Sequence, residues 1–381
     1  MKRVFLIILA FLWLAVPANG AEYEYSGETG DDLYPSSEMD SLYASLPEDV
    51  RIEIADFISA ESNSERADRL SEKLDAGYWT RYVLGLVSDT FLPGVSRCAT
   101  LVAVILLSKI VLNTVSLREG SSASGIFRLS AGLICTVAVM ECTVEAVTTA
   151  SMFVSRICTM MTAMLPVMEA VLLTSGSVSS AALSGTSLMV YITLTENFMR
   201  FVLIPFAGAL LALGCTCGCF GSVNILSLVS AMRRVLMTVI GFFLLIFSFV
   251  LGIQNSLAKS ADSLAMRSVR FAVGSYIPVV GGALSEALTT VSAGLSLIRR
   301  MVGGIGIVII LVIVLPPLVS VFVTRICLLL CKSASELLDF GEAAHAIGEA
   351  DSVISVFLAF GVMSALFFIF AVILFMNSGL V

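Results

Sequence analysis

Of 381 residues, 58% are hydrophobic and 13% charged, and the mean hydropathy is +0.99. A soluble chain carries about 25% charged residues, so this one has too few to wet the exterior of a domain of its length, and lipid is the remaining solvent. The net charge of −7 is uneven: residues 21–75 hold 16 acids and four bases, net −12, while residues 76–381 hold 13 acids and 16 bases, net +3. No dense basic stripe is present, which excludes nucleic acid as a partner.

The nine cysteines (Cys98, Cys135, Cys142, Cys158, Cys215, Cys217, Cys219, Cys327, Cys331) all lie in the apolar part, and His345 is the one histidine. Multi-histidine zinc sites and Ser-His or Cys-His catalysis would rest on that single imidazole. No HExxH is present, and the Gly303–Gly306 run lacks the lysine of a phosphate loop. The expectation is therefore a non-enzyme with no catalytic residue, cofactor or metal.

In chain order, residues 1–20 form the first element. Lys2 and Arg3 precede the apolar Val4–Val16 and the small-residue pattern Ala18-x-Gly20. The apolar run is short of the ~20 residues a spanning helix needs, and the pattern is that of a cleaved signal peptide. Residues 21–90 then read as an exported, acidic, partly helical segment, with Val50, Ile54, Phe57 and Ile58 at helical spacing. At this size it would be marginal alone and is expected to lie on the membrane or a partner. Residues 91–381 form the polytopic body.

The apolar runs of the body predict an all-α protein with about seven transmembrane helices: 98–117, 129–149, 188–213, 235–257, 276–298, 302–324 and 353–376. Residues 154–186, with Pro166 and the stretch TSGSVSSAALSG, are read as a re-entrant or surface hairpin rather than a crossing. That choice puts Arg118, Arg128, Arg233-Arg234 and Arg299-Arg300 in the cytoplasm. The acidic loop around Glu342 is then outside and the C-terminal end inside.

Charges within these runs each cost ~2.5–3.5 kcal/mol on insertion scales unless covered by protein or water. Glu196 and Arg200 are four residues apart, which suits an ion pair on one helix face or a contact with a pore or solute. Glu141 and Glu145 share that spacing with like charge, so one is expected to be neutralised or paired, with Lys109 as a candidate. Gly208 with Ala212, and the Gly303–Gly306 cluster, suit close packing between helices or between protomers, so a homo-oligomer is compatible with the pattern. Cys215, Cys217 and Cys219 read as packing residues.

The segment Asp262–Gly294 carries Leu264, Arg267, Arg270 and Phe271, then Ile277-Pro278-Val279 and Gly281. It resembles the characteristic region of the stage III sporulation protein AE family, with Gly282 a departure from the expected larger polar residue. The likeness covers roughly residues 80–381. It implies a subunit of the channel, or secretion-like complex, between mother cell and forespore, required for late forespore development. It also implies a location in the mother-cell membrane around the forespore. Implied partners are the other products of the same operon, including ring-forming and ATPase subunits, and a forespore-side membrane protein. It further marks Arg267, Arg270, Pro278 and Gly281 as interaction candidates. The competing expectation is a self-contained secondary transporter, for which broken helices would flank a midplane site.

Overall fold

The computed structural model describes residues 76–116, 121–220, 223–276 and 281–378, with isolated positions from Asp40 to Ala55. The signal-peptide expectation lies outside them. Six long helices follow one another: α1 (Ala76–Ser116), α2 (Ser121–Thr174), α3, α4 (Val223–Tyr276), α5 (Gly281–Leu337) and α6 (Gly341–Asn377). Helix α3 runs Val178–Phe198, passes through a π-helical turn at Met199–Leu203 and continues as Ile204–Phe220. Among the described residues there is no strand.

Each of the six contains a stretch long and apolar enough to cross a membrane, from Gly77–Thr114 to Gly341–Asn377. The protein is a polytopic helical membrane protein with six such helices among the described residues, where the apolar runs predict about seven. The difference arises at two places. Residues 154–174 are the second half of α2, and the chain reverses only at Ser175–Ser177, so no separate hairpin exists there. Residues 281–298 are the first turns of α5, continuous with the run 302–324, so they make no crossing of their own. Polar residues within a long helix interrupt hydropathy without interrupting hydrogen bonding. At 54 residues, α2 is ~80 Å long, against a hydrocarbon core of ~30 Å.

Helix α1 also runs unbroken through residue 90, where the composition places the start of the body. Leu42, Leu46 and Val50, from the acidic segment, are buried in the same cluster as Trp79 of α1. These apolar residues lie on the protein's own body.

The turns show why the chain reverses where it does. Gly176 adopts φ 75°, the left-handed conformation that glycine tolerates. Its N–H reaches the Leu173 carbonyl at 3.0 Å, and the Ser177 N–H reaches that of Leu172 at 2.9 Å. This is the Schellman pattern, which satisfies the last carbonyls of α2. The same pattern ends α5, with Phe340 N–H to the Ser335 carbonyl at 2.9 Å, but Asp339 occupies the left-handed position at φ 52°.

Helices α5 and α6 form the centre. Ile305 and every residue from Ile307 to Leu315 are at most 6% exposed, as are Val353, Ile354, Phe357, Phe360, Phe368 and Val372. Glycines allow the approach: Gly303 lies against Met376, Gly306 against Met164, and Gly361 against the Phe153 ring, whose nearest atom would meet an added Cβ at 2.7 Å. By contrast Gly208 faces nothing within 4 Å and Ala212 is exposed, so that pair makes no packing contact within the chain. Helices α1 and α4 sit outside, with Leu84, Phe91, Leu107, Phe242, Leu245, Phe249 and Leu257 all more than half exposed, a surface suited to lipid.

Inter-helix contacts fix which ends share a side. Lys109 of α1 donates to the Asp339 carbonyl at 2.7 Å, and the Glu342 Cβ lies 3.8 Å from the Cβ position of Gly132. The α1–α2 and α5–α6 turns therefore lie at one end, and the acidic loop is not opposite the Gly/Ser-rich turn as expected. Arg233 donates to Ser352 near the start of α6, whereas Arg299 donates to the Ser378 carbonyl beyond its finish. The two arginine pairs thus lie at opposite ends.

Candidate functional site

The chemistry-bearing side chains fall into three layers along the bundle. At the end shared by Lys109 and Asp339, Arg325 of α5 forks onto Asp351 of α6, Nε to Oδ1 at 2.7 Å and the second nitrogen to Oδ2 at 3.5 Å. The pair is less than one-fifth exposed and ties the central helices together. A two-point arginine–carboxylate contact fixes orientation as well as charge. Nearby, Arg97 of α1 pairs with Glu145 of α2 at 2.5 Å. Glu145 thus finds a partner, though it is Arg97 rather than Lys109, and Glu141 is exposed one turn away. Between α1 and α5 the Cys98 and Cys331 sulfurs are 3.6 Å apart, and the Cys327 thiol lies 3.1 Å from the Gly94 carbonyl. Among the described residues no group of His, Cys, Asp or Glu is arranged to hold a metal. Cys215, Cys217 and Cys219 have no described side chains.

The middle layer is aromatic. Tyr191 of α3 stacks on Phe367 of α6 with centroids 3.5 Å apart and meets Phe247 of α4 at 5.3 Å, and Phe198 stacks on Phe360 at 5.4 Å. Tyr191, Thr195 and Ser364 are all at most 2% exposed, a small polar group inside an apolar core. On the other side of α3, Glu196 and Arg200 are both exposed and form no ion pair with each other or with any other described residue. Arg200 belongs to the π-helical turn that begins at Met199. The internal pair expected from the i, i+4 spacing is not made.

At the far end, Asp262 of α4 caps α3. Its carboxylate accepts from the backbone N–H groups of Ser179 and Ser180, both at 3.0 Å, and from the Ser180 hydroxyl at 2.6 Å. The open N–H groups of a helix start favour an anion, and here another helix supplies it. Arg299, 3% exposed, belongs to the same layer. Also toward this end, the half-buried Glu169 of α2 lies directly over Gly185 of α3, leaving no room for a side chain there.

Of the family-motif candidates, Arg267 is exposed on α4. Arg270 and Gly281 are described only as members of α4 and α5, and Pro278 falls outside the described residues, in the interval where one helix ends at Tyr276 and the next begins at Gly281. Among the described residues, no contact joins Arg267 to Glu141, Glu145, Glu196 or Arg200. Asp262, Arg325 and Asp351 were not singled out by sequence reasoning. Asp262 opens the characteristic segment and so stood beside the right signal.

The model of stage III sporulation protein AE matches residues 63–379. The chain belongs to the stage III sporulation protein AE family. A relative bearing that name, from Bacillus subtilis (strain 168), is 25% identical over 210 residues, 54% of this chain and 52% of the relative. The aligned part thus spans about half of that curated relative. No solved structure matches. The family match reaches from before α1 to beyond α6, so every layer described above belongs to the stage III sporulation protein AE part of the chain.

Proposed function

We propose that the protein is a non-enzymatic membrane subunit of a multiprotein, secretion-like channel linking mother cell and forespore, required for late forespore development. It resides in the mother-cell membrane around the forespore, with its acidic N-terminal segment outside the cytoplasm. Its neighbours are products of the same operon, including ring-forming and ATPase subunits, and a forespore-side membrane protein. Family membership supports the sporulation role. The observation that carries the subunit reading is the filled centre of the bundle: α5 and α6 occupy the axis with closely packed aliphatic and aromatic side chains. A carrier acting alone needs a polar site near its midplane, open in turn to each side. Among the described residues, the fully buried polar groups of the middle layer are the Tyr191, Thr195 and Ser364 hydroxyls, and its charges face outward.

Affinity capture of the tagged chain from sporulating cells tests the reading. Co-purification of the ring-forming and ATPase subunits is expected. Gradient-driven, substrate-specific uptake by liposomes holding the purified chain alone would overturn it in favour of a self-contained transporter.

A further inference from the structure

Glu196 stands at the centre of the α3 span Val178–Leu213, with 18 residues before it and 17 after. The neighbouring rings place it level with the central part of α6, since Phe198 and Tyr191 meet Phe360 and Phe367 of the span Gly341–Asn377. With the span centred on a ~30 Å hydrocarbon core, a carboxylate here is ~15 Å from either edge, beyond the reach of a glutamate side chain. Yet Glu196 is exposed on the flank of α3 near the Cys158 thiol of α2, Arg200 is exposed one turn on, and neither forms a hydrogen bond or ion pair among the described residues. The inner face of α3 is fully used by Tyr191, Thr195, Met199, Leu203 and Ala207. Two opposite charges at mid-membrane on an outer face must be covered by protein or water.

We propose that this face of α3 is the contact between two copies of the chain, with Glu196 of one copy paired to Arg200 of the other. Two observations select a second copy. The face carries one acid and one base a single turn apart, so it is neutral and complementary to itself, and copies inserted in the same sense present both at matching depths. The long arginine side chain spans the ~5 Å between turns. Further along α3, Gly208 has open space at its Cβ position and Ala212 is exposed four residues on, the small-residue spacing that lets two helices approach closely. Asn197 and Thr193, also exposed, add hydrogen-bonding groups at the same level. The π-helical turn at Met199–Leu203 lies inside this contact, where such turns often mark functional positions. Self-association of this kind holds whether or not the assembly conducts.

The test uses the full chain, carrying either of two tags, co-expressed in a host that lacks its natural partners and recovered in lipid nanodiscs. Wild-type copies should co-purify. Glu196→Arg, which makes the face doubly positive, and Arg200→Glu, which makes it doubly negative, should each lose co-purification with their own kind by at least about tenfold. Mixing the two variants should restore it, a result no pairing within one chain can give. Glu196→Gln with Arg200→Gln, which leaves no charge to bury, should keep wild-type helicity and membrane level while weakening association, so that misfolding is separated from dissociation. Wild-type copies that fail to co-purify, single variants that self-associate normally, or no recovery on mixing would each overturn the proposal. In those cases water or a different subunit, and not a second copy, covers Glu196.

Discussion

Asp262 and Ser180 lie 82 residues apart in sequence, yet the Asp262 carboxylate is the cap of the helix that Ser180 helps to begin. One side chain, 5% exposed, holds two backbone N–H groups and a hydroxyl and thereby sets the height of α3 against α4. Asp262→Ala should leave those donors buried and unpaired, at a cost of about 2–4 kcal/mol. Ser180→Ala, which removes one of three contacts, should cost ~1 kcal/mol. Thermal unfolding of the two variants in detergent checks the order, and equal losses would remove the cap from the account of stability.

At the α5–α6 turn the strain runs the other way. Asp339 holds a left-handed conformation that glycine adopts freely. Lys109 uses only its carbonyl, which any residue supplies. Asp339→Gly should therefore raise stability by about 0.5–1 kcal/mol, and Asp339→Val should lower it by more. Melting temperatures of both variants decide the matter.

Glu169 and Gly185 form a size-matched pair between α2 and α3. Gly185→Ala should displace the carboxylate and cost ~1–3 kcal/mol. Adding Glu169→Ala should recover most of that loss, a coupling that a double-mutant cycle reads directly. Simple addition of the two effects would mean that the helices part to admit the methyl group. Gly303→Ala should cost at least as much, because an added methyl there meets the Met376 Cγ, close to that residue's backbone, and not a side-chain tip that can swing away.

Sidedness gives a fourth expectation. Single cysteines at Ser122 and Glu342, in a background without the native thiols, should react with an impermeant reagent from the same side. Contacts between the two turns require it. Opposite labelling would mean that an odd number of the four helices α2 to α5 cross.

Helix type and the existence of most spans are legible in the apolar runs, because a membrane helix announces itself by composition alone. Helix length is not. Arg156, Pro166 and Glu169 in α2, and Arg299-Arg300 in α5, look like interruptions in hydropathy, but the helices run on through them, with Arg156, Pro166 and Arg300 facing outward and Arg299 buried. The true reversal at Ser175–Ser177 lies inside the polar stretch read as a hairpin, and its decisive residue, Gly176, is one of 28 glycines. The charged positions at membrane depth were visible from sequence. Their orientation was not, since i, i+4 spacing says that Glu196 and Arg200 are neighbours and not whether they meet.

The two helices that carry the core are the last of the six to be synthesised. When α1 to α4 have entered the membrane, the buried faces of α2 and α3 still confront lipid, and the surfaces they are shaped to meet on α5 and α6 do not yet exist. The fold cannot close from its N-terminal side forward. Until Gly281–Asn377 arrives, the first four helices must wait as a loose set held by the insertion machinery or by one another, and loss of that final hairpin would leave four inserted helices with no centre.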